Sequence, residues 1–158
     1  FVLATQQYAL GLLLLALNRV LDGVDGAIAR ATHRTDFGGY LDSVADYVFY
    51  AGVPLGLALA NPQENALPAA ALLGSFLLTG VSFLAFAALA AKRGLEPDAA
   101  RPKAFFYSVG LMEGAETIAF FVAMVLWPAY FPALAWTFAG LCVLTAVQRS
   151  LIAAKAFR

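Results

Sequence analysis

One cysteine, Cys142, and one histidine, His33, occur in the 158 residues. A lone cysteine leaves no partner for a disulfide within the chain and no basis for a cysteine-based metal site. Redox chemistry therefore has no foothold here. Charge is also scarce. Asp, Glu, Lys and Arg make up 13% of the chain, about half the share in an ordinary soluble domain, and ten basic side chains cancel ten acidic ones. Without a net positive charge there is no footprint for a nucleic-acid backbone. Apolar side chains take the remaining space, at 62% of the residues against roughly 45–50% in soluble proteins. The length suits one domain, and this composition puts that domain in a bilayer.

Five apolar stretches, at about 2–22, 40–60, 66–91, 104–127 and 129–148, are each long enough to cross a hydrocarbon layer, for which about 20 residues are needed. They are too long and too uniformly apolar for strands, so the expectation is an all-α polytopic membrane helix bundle, a single transmembrane domain over residues 1–158. The separators are a polar turn near 23–39, NPQEN at 61–65, AKRGLEPDAARPK at 91–103 and WPAYFP at 127–132. If the helices alternate, Arg19, Arg30, Arg34, Lys92, Arg93, Arg101, Lys103, Arg149, Lys155 and Arg158 all fall on one side. Cytoplasmic loops retain Lys and Arg, so that side is the cytoplasm. The other side holds Glu64 and an aromatic belt of Trp127, Tyr130 and Phe131. Five crossings leave Phe1 outside. A chain that starts at Phe with no basic leader is expected to lack a native N-terminal piece, and one further helix there would bring both ends into the cytoplasm. Within this frame His33 is a solvated loop residue, Pro54 bends its helix and Pro132 takes a first-turn position.

The stretch LDGVDGAIARATHRTDFGGYLDSVADY, residues 21–47, is the most informative. Four aspartates, Asp22, Asp25, Asp42 and Asp46, stand at the cytoplasmic ends of two consecutive apolar helices. At about 100° per residue, Asp25, Gly26 and Ala29 fall at about 300°, 40° and 340° from Asp22, so these four residues share a face. On the next helix Gly38, Asp42 and Asp46 fall at about 0°, 40° and 80°. Two antiparallel helices joined by a short turn pack as neighbours, which lets the two faces converge. Four ionised carboxylates in one place repel unless cations lie among them. Mg²⁺ or Mn²⁺ prefers all-oxygen ligands, and two such ions about 4 Å apart can clamp both oxygens of an in-line displacement at phosphorus. The layout fits a two-metal phosphoryl-transfer site.

The run D-x2-D-G-x2-A-R-x7-G-x3-D-x3-D, from Asp22 to Asp46, resembles the signature of the CDP-alcohol phosphatidyltransferase family. One departure is the gap of seven residues between Arg30 and Gly38, where a common form of the signature has one residue more. NRVLDGVDGAIAR, SFLAFAALAAK and EGAET are similar to a bacterial inner-membrane branch of the family. The resemblance implies a six-helix fold of which this chain supplies the last five helices, with its site at the cytoplasmic face of the inner membrane. It implies transfer of a phosphatidyl or similar group from a CDP-linked lipid donor to an alcohol acceptor, with release of CMP, by a homodimer in the lipid bilayer. Asp22, Asp25 and Asp42 resemble the metal ligands. Asp46 resembles the residue that both helps bind metal and acts as general base. By the same likeness Gly26, Ala29 and Gly38 give the cytidine nucleotide access to the backbone, and Arg30 contacts donor phosphate.

Glu113 and Glu116 lie outside that signature, roughly 14–18 Å along a helix starting at residue 104. Acids at such depth usually face a cavity or a partner, which makes these two candidates for the acceptor pocket. Two other functions compete with the transferase. An intramembrane prenyltransferase also uses Asp-rich motifs with Mg²⁺, but on well-separated helix pairs. A cation transporter would be expected to carry its acids near mid-membrane, whereas four of the six candidates here gather at one surface.

Overall fold

The computed structural model describes residues 1–31, 35–94 and 114–157, and at Asp25, Ala29 and Arg30 it describes the backbone alone. His33, Arg34, Arg101, Lys103, Gly110, Glu113 and Arg158, together with the expected helix start at 104, lie outside the described residues. Among those described, every regular element is helical. In chain order they are α1 (Tyr8–Ala31), α2 (Asp36–Ala60), α3 (Pro62–Lys92), α4 (Gly114–Leu126) and, after a 3₁₀ turn at Pro128–Tyr130, α5 (Phe131–Ala156). The protein is an all-α membrane helix bundle.

Most of the helices extend beyond their apolar runs, but residues 2–6 form turns in place of the helix expected from residue 2, and α1 opens at Tyr8. The sequence predicts a first helix over 2–22 and a polar turn over 23–39, yet α1 continues to Ala31 and α2 begins at Asp36. Hydropathy marks where contact with lipid ends, whereas a helix ends where its terminal backbone groups find other partners. Thr35 supplies that partner for α2. Its Oγ1 accepts the backbone N–H of Gly38 at 3.0 Å, a cap of a kind worth about 1 kcal/mol, and Asp36 adds an acid to the first turn, where the helix dipole favours it. Asp22 and Asp25 therefore stand inside a continuous helix rather than in a turn.

The expected separator at 61–65 contracts to a single residue. Asn61 ends α2 and precedes α3, because Pro62 cannot continue a ladder but is well suited to open one. Asn65 is buried and donates from Nδ2 to Leu57 O at 2.8 Å, satisfying a carbonyl in the last turn of α2. Pro132 takes the expected early position in α5. Three segments, α2, α3 and Pro128–Ala156, are long and apolar enough to cross a membrane. The second half of α1 carries Arg19, Asp22 and Asp25, and α4 has 13 described residues.

The core is built mainly between α3 and α5, with α2 packed on α3 and α1 on α4. In lipid there is little hydrophobic drive between helices, so close packing has to hold them. Here it comes from interlocking rings. Phe76 meets Phe138 edge-on at 5.2 Å, Phe120 stacks on Phe138 at 4.7 Å, and Phe121 meets Phe49 of α2 at 5.9 Å. Such pairs contribute about 0.5–1.5 kcal/mol each beyond their area. Gly80 lets the ring of Tyr47 lie against α3, since a Cβ there would be 2.8 Å from Tyr47 Cζ.

Polar ties close the end of the bundle that holds the aspartates. Arg149 of α5 donates from Nη1 to Thr79 O and to Ser82 Oγ of α3, each at 2.9 Å. Arg93 donates from Nη2 to Phe157 O at 2.8 Å, joining the last turns of α3 and α5.

Candidate active site

Asp22 of α1 and Asp46 of α2 meet at one guanidinium. Arg19 donates from Nη1 to Asp22 Oδ2 and from Nη2 to Asp46 Oδ1, both at 3.3 Å. The same side chain donates to Asn18 Oδ1 at 3.1 Å from Nε and at 2.7 Å from Nη2. Its carbon Cζ lies 4.9 Å from the ring centroid of Phe49. Helical spacing explains the first contact, because residues three apart are surface neighbours. The second spans from α1 to α2, which make few direct contacts among the described residues, against the expectation that the two helices pack as neighbours. The Arg19 side chain is 22% exposed, against 40% for Asp22 and 32% for Asp46, so the cation is sheltered while both carboxylates remain open to an incoming group.

The other signature residues lie further along the same two helices. Gly26 is half-buried one turn beyond Asp22, and Asp42 is exposed one turn before Asp46. Gly38 is exposed in the first turn of α2. Its N–H is taken by Thr35, so what Gly38 offers a nucleotide is the space of a missing side chain rather than a donor. Asp25, Ala29 and Arg30 have their backbone on α1, and their side chains lie outside the described residues. Among the described residues no three acid, His or Cys groups come together as a metal cage. The structure thus joins Asp22 to Asp46 and keeps Asp42 one turn away.

The donor set nonetheless suits a hard divalent cation. Arg19 engages one oxygen of each carboxylate, and an ionised carboxylate has about four acceptor positions. The capacity that remains is all oxygen, which is what Mg²⁺ and Mn²⁺ prefer. A groove of about 330 Å³ lies beside the corner between α2 and α3, lined by Tyr47, Tyr50, Phe76 and Gly80 among others. Its lining residues carry no formal charge.

Glu116 is exposed in the first described turn of α4. Arg19, which the sequence pattern marks only for topology, is the residue that links Asp22 to Asp46. Its signal was the spacing of three to Asp22, which puts the two side chains on the same face of α1.

Comparison with known proteins gives the family. The sequence model of the CDP-alcohol phosphatidyltransferase family matches residues 1–151. The chain is 50% identical over 147 residues to inner membrane protein YnjF of Escherichia coli K12, covering 93% of this chain and 71% of that protein. It is 44% identical over 75 residues to the bifunctional IPC transferase and DIPP synthase of Aquifex aeolicus, or 45% of this chain and 18% of that one. To the archaetidylinositol phosphate synthase of Pyrococcus horikoshii it is 36% identical over 75 residues, covering 47% and 40% respectively. No solved structure matches it significantly. With a family match that spans nearly its whole length and takes in the aspartates of both helices, the chain belongs to the CDP-alcohol phosphatidyltransferase family.

Proposed function

We propose that this protein transfers a phosphatidyl or similar substituted phosphate group from a CDP-linked lipid, such as CDP-diacylglycerol, to the hydroxyl of an alcohol, releasing CMP. The observation that carries the proposal is the meeting at Arg19 of Asp22 and Asp46, the two ends of the run that bears the family signature. An alcohol is a weak nucleophile, so a positioned carboxylate that takes its proton lowers the barrier. Asp46 fills that role. As the hydroxyl oxygen forms its bond to the lipid-bearing phosphorus, its proton passes to the Asp46 carboxylate. The bond from that phosphorus to the bridging oxygen breaks, and CMP leaves with the electron pair. Asp22, Asp25, Asp42 and Asp46 would hold Mg²⁺ or Mn²⁺, which when bound neutralises charge on the donor's diphosphate. Arg30 contacts donor phosphate, while Gly26, Ala29 and Gly38 leave room for the cytidine.

In this reading the protein works as a homodimer in the bacterial inner membrane, with its site at the cytoplasmic face. Arg19, Arg93, Arg149 and Lys155 gather at the end of the bundle that holds Asp22 and Asp46, in keeping with the retention of positive charge in the cytoplasm. Thiol labelling checks the orientation against a quiet background, because the native Cys142 is buried. Gln63 and Lys92 are both exposed. An impermeant maleimide added outside intact spheroplasts is expected to modify Gln63→Cys at once and Lys92→Cys only after permeabilisation. The reverse pattern would invert the site.

Glu113 and Glu116 are assigned to the acceptor pocket in this reading. Glu116→Gln and Glu113→Gln should each raise the acceptor's KM several-fold, with the donor's KM nearly unchanged, as loss of acceptor binding alone requires. Steady-state kinetics with the two substrates varied separately measures this. Unchanged acceptor KM in both variants takes these residues out of the pocket.

Donor binding tests the function itself. A ligand present at about 100 times its Kd stabilises the folded state by about 2.7 kcal/mol. CDP-diacylglycerol with Mg²⁺ should therefore raise the melting temperature of the purified protein by several degrees, and a prenyl diphosphate should not. Stabilisation by the prenyl diphosphate alone would overturn the assignment.

A further inference from the structure

We infer that Arg19 is a positioning residue for the site, fixing the Asp22 carboxylate of α1 and the Asp46 carboxylate of α2 in the mutual arrangement that a divalent cation and the reacting hydroxyl require. This rests on the function proposed above and adds to it a residue outside the aspartate signature.

The architecture creates the need. Among the described residues α1 packs chiefly on α4 and α2 chiefly on α3, and direct contact between α1 and α2 is sparse. The two carboxylates of one site are thus carried by different parts of the bundle, and apolar packing does little to set the distance between them. The Arg19 fork spans the gap with one N–H to each, both at 3.3 Å.

The fork is itself held in place. Asn18 Oδ1 accepts from Nε and Nη2, which constrains the rotation of the guanidinium. Phe49, on α2 three residues beyond Asp46, lies against the guanidinium at 4.9 Å and packs on Phe121 at 5.9 Å. Through Phe121, a fully buried ring, the position of Arg19 is referred to the core. A lysine could not do the same, since its ammonium is a point charge on a flexible stem whereas the guanidinium is a planar fork.

The chemistry separates positioning from mere neutralisation. Arg19 engages a single oxygen of each carboxylate, so it orients them while leaving acceptor positions for an ion. Partners that orient ligating carboxylates in this way typically contribute 10–100-fold to metal affinity or activity. A guanidinium that simply competed with the ion for the same oxygens would have the opposite sign.

The test uses the intact protein in lipid nanodiscs. Mn²⁺ binding is measured by electron paramagnetic resonance without substrate, followed by kinetics with donor and acceptor varied separately. Arg19→Gln should weaken Mn²⁺ binding by about 10–100-fold and lower kcat at saturating Mn²⁺, with the donor's KM within about threefold of the parent. Arg19→Lys should recover part of the Mn²⁺ affinity and not all of it. If Arg19→Gln does not fold, Arg19→Lys decides, and Mn²⁺ binding by it equal to the parent's overturns the inference. Unchanged or tighter Mn²⁺ binding by folded Arg19→Gln overturns it as well. Asp22→Asn is measured alongside. Should it also leave Mn²⁺ binding unchanged, the proposed metal site fails; should it weaken binding while the Arg19 variants do not, the positioning role alone fails.

Discussion

Asp46→Asn is expected to lower kcat by about 10²–10⁴-fold, the range that general acid–base catalysis supplies. The substitution keeps the size of the side chain and an oxygen that can still accept from Arg19 Nη2, now 3.3 Å away. In the proposed mechanism, what it removes is the ability to take a proton from the acceptor hydroxyl as that oxygen attacks phosphorus. Ground-state contacts to the donor change far less, so the donor's KM should stay within a few-fold while kcat collapses. Asp46 is also placed among the metal ligands, and the comparison is therefore made at saturating Mg²⁺, where a weakened ion site is refilled. Under those conditions, turnover within tenfold of the parent would show that Asp46 is not the base.

Removing the divalent ion should be comparably severe. The donor carries a charged diphosphate to a corner that presents Asp22 and Asp46 with Arg19 as their described cationic partner. One guanidinium shared by two carboxylates is already committed and has little charge left to offset more anions. Without a cation, like charges face each other at the moment when more negative charge develops on the leaving CMP. Each 1.36 kcal/mol of lost transition-state stabilisation is a tenfold loss in rate, and a metal clamp supplies several kcal/mol. Chelation should thus reduce turnover by about 10²–10³-fold or more, with Mg²⁺ or Mn²⁺ restoring it and Ca²⁺ serving as a test of size. Asp22→Asn should move the Mn²⁺ concentration for half-maximal rate upward by at least about tenfold. Full activity after exhaustive chelation would remove metal from the mechanism.

The membrane-helical fold was legible because its signal is coarse. Long apolar runs with few charges leave little choice of architecture when backbone groups must be satisfied within lipid. Helix ends were less legible, for a physical reason visible at two junctions. Hydropathy marks the lipid boundary near residues 22 and 40, but Thr35 and Asp36 can begin α2 in the polar layer, where apolar content carries no information. At Asn61 the polar letters NPQEN suggest a loop of five residues. Pro62, however, opens α3 directly, and Asn65 spends its amide on Leu57 O inside the bundle.

Within the site, helical phase put Asp22 and Asp25 on one face of α1, and Asp42 and Asp46 on one face of α2, because that is arithmetic within a helix. It could not say how far one helix stands from the other, or that Arg19 would bridge them. Those features rest on non-local contacts: Arg19 links Asp22 to Asp46, Phe49 and Phe121 lie behind it, and α1 and α2 pack chiefly on other helices. Glu116 shows the same limit, since depth along a helix says nothing about which neighbour the side chain faces.

The central claim is that this chain's aspartate corner moves a substituted phosphate from a cytidine diphosphate donor to an alcohol. The most direct measurement is CMP release from CDP-diacylglycerol by the intact protein in nanodiscs with Mg²⁺, using a panel of glycerol, inositol, their phosphates and ethanolamine. The account predicts CMP formed in step with a new phospholipid, dependent on one class of added alcohol, lost on chelation and lost in Asp46→Asn. CMP release that is the same with and without alcohol, or undiminished in Asp46→Asn, would contradict it, as would no release with any member of a broad alcohol panel.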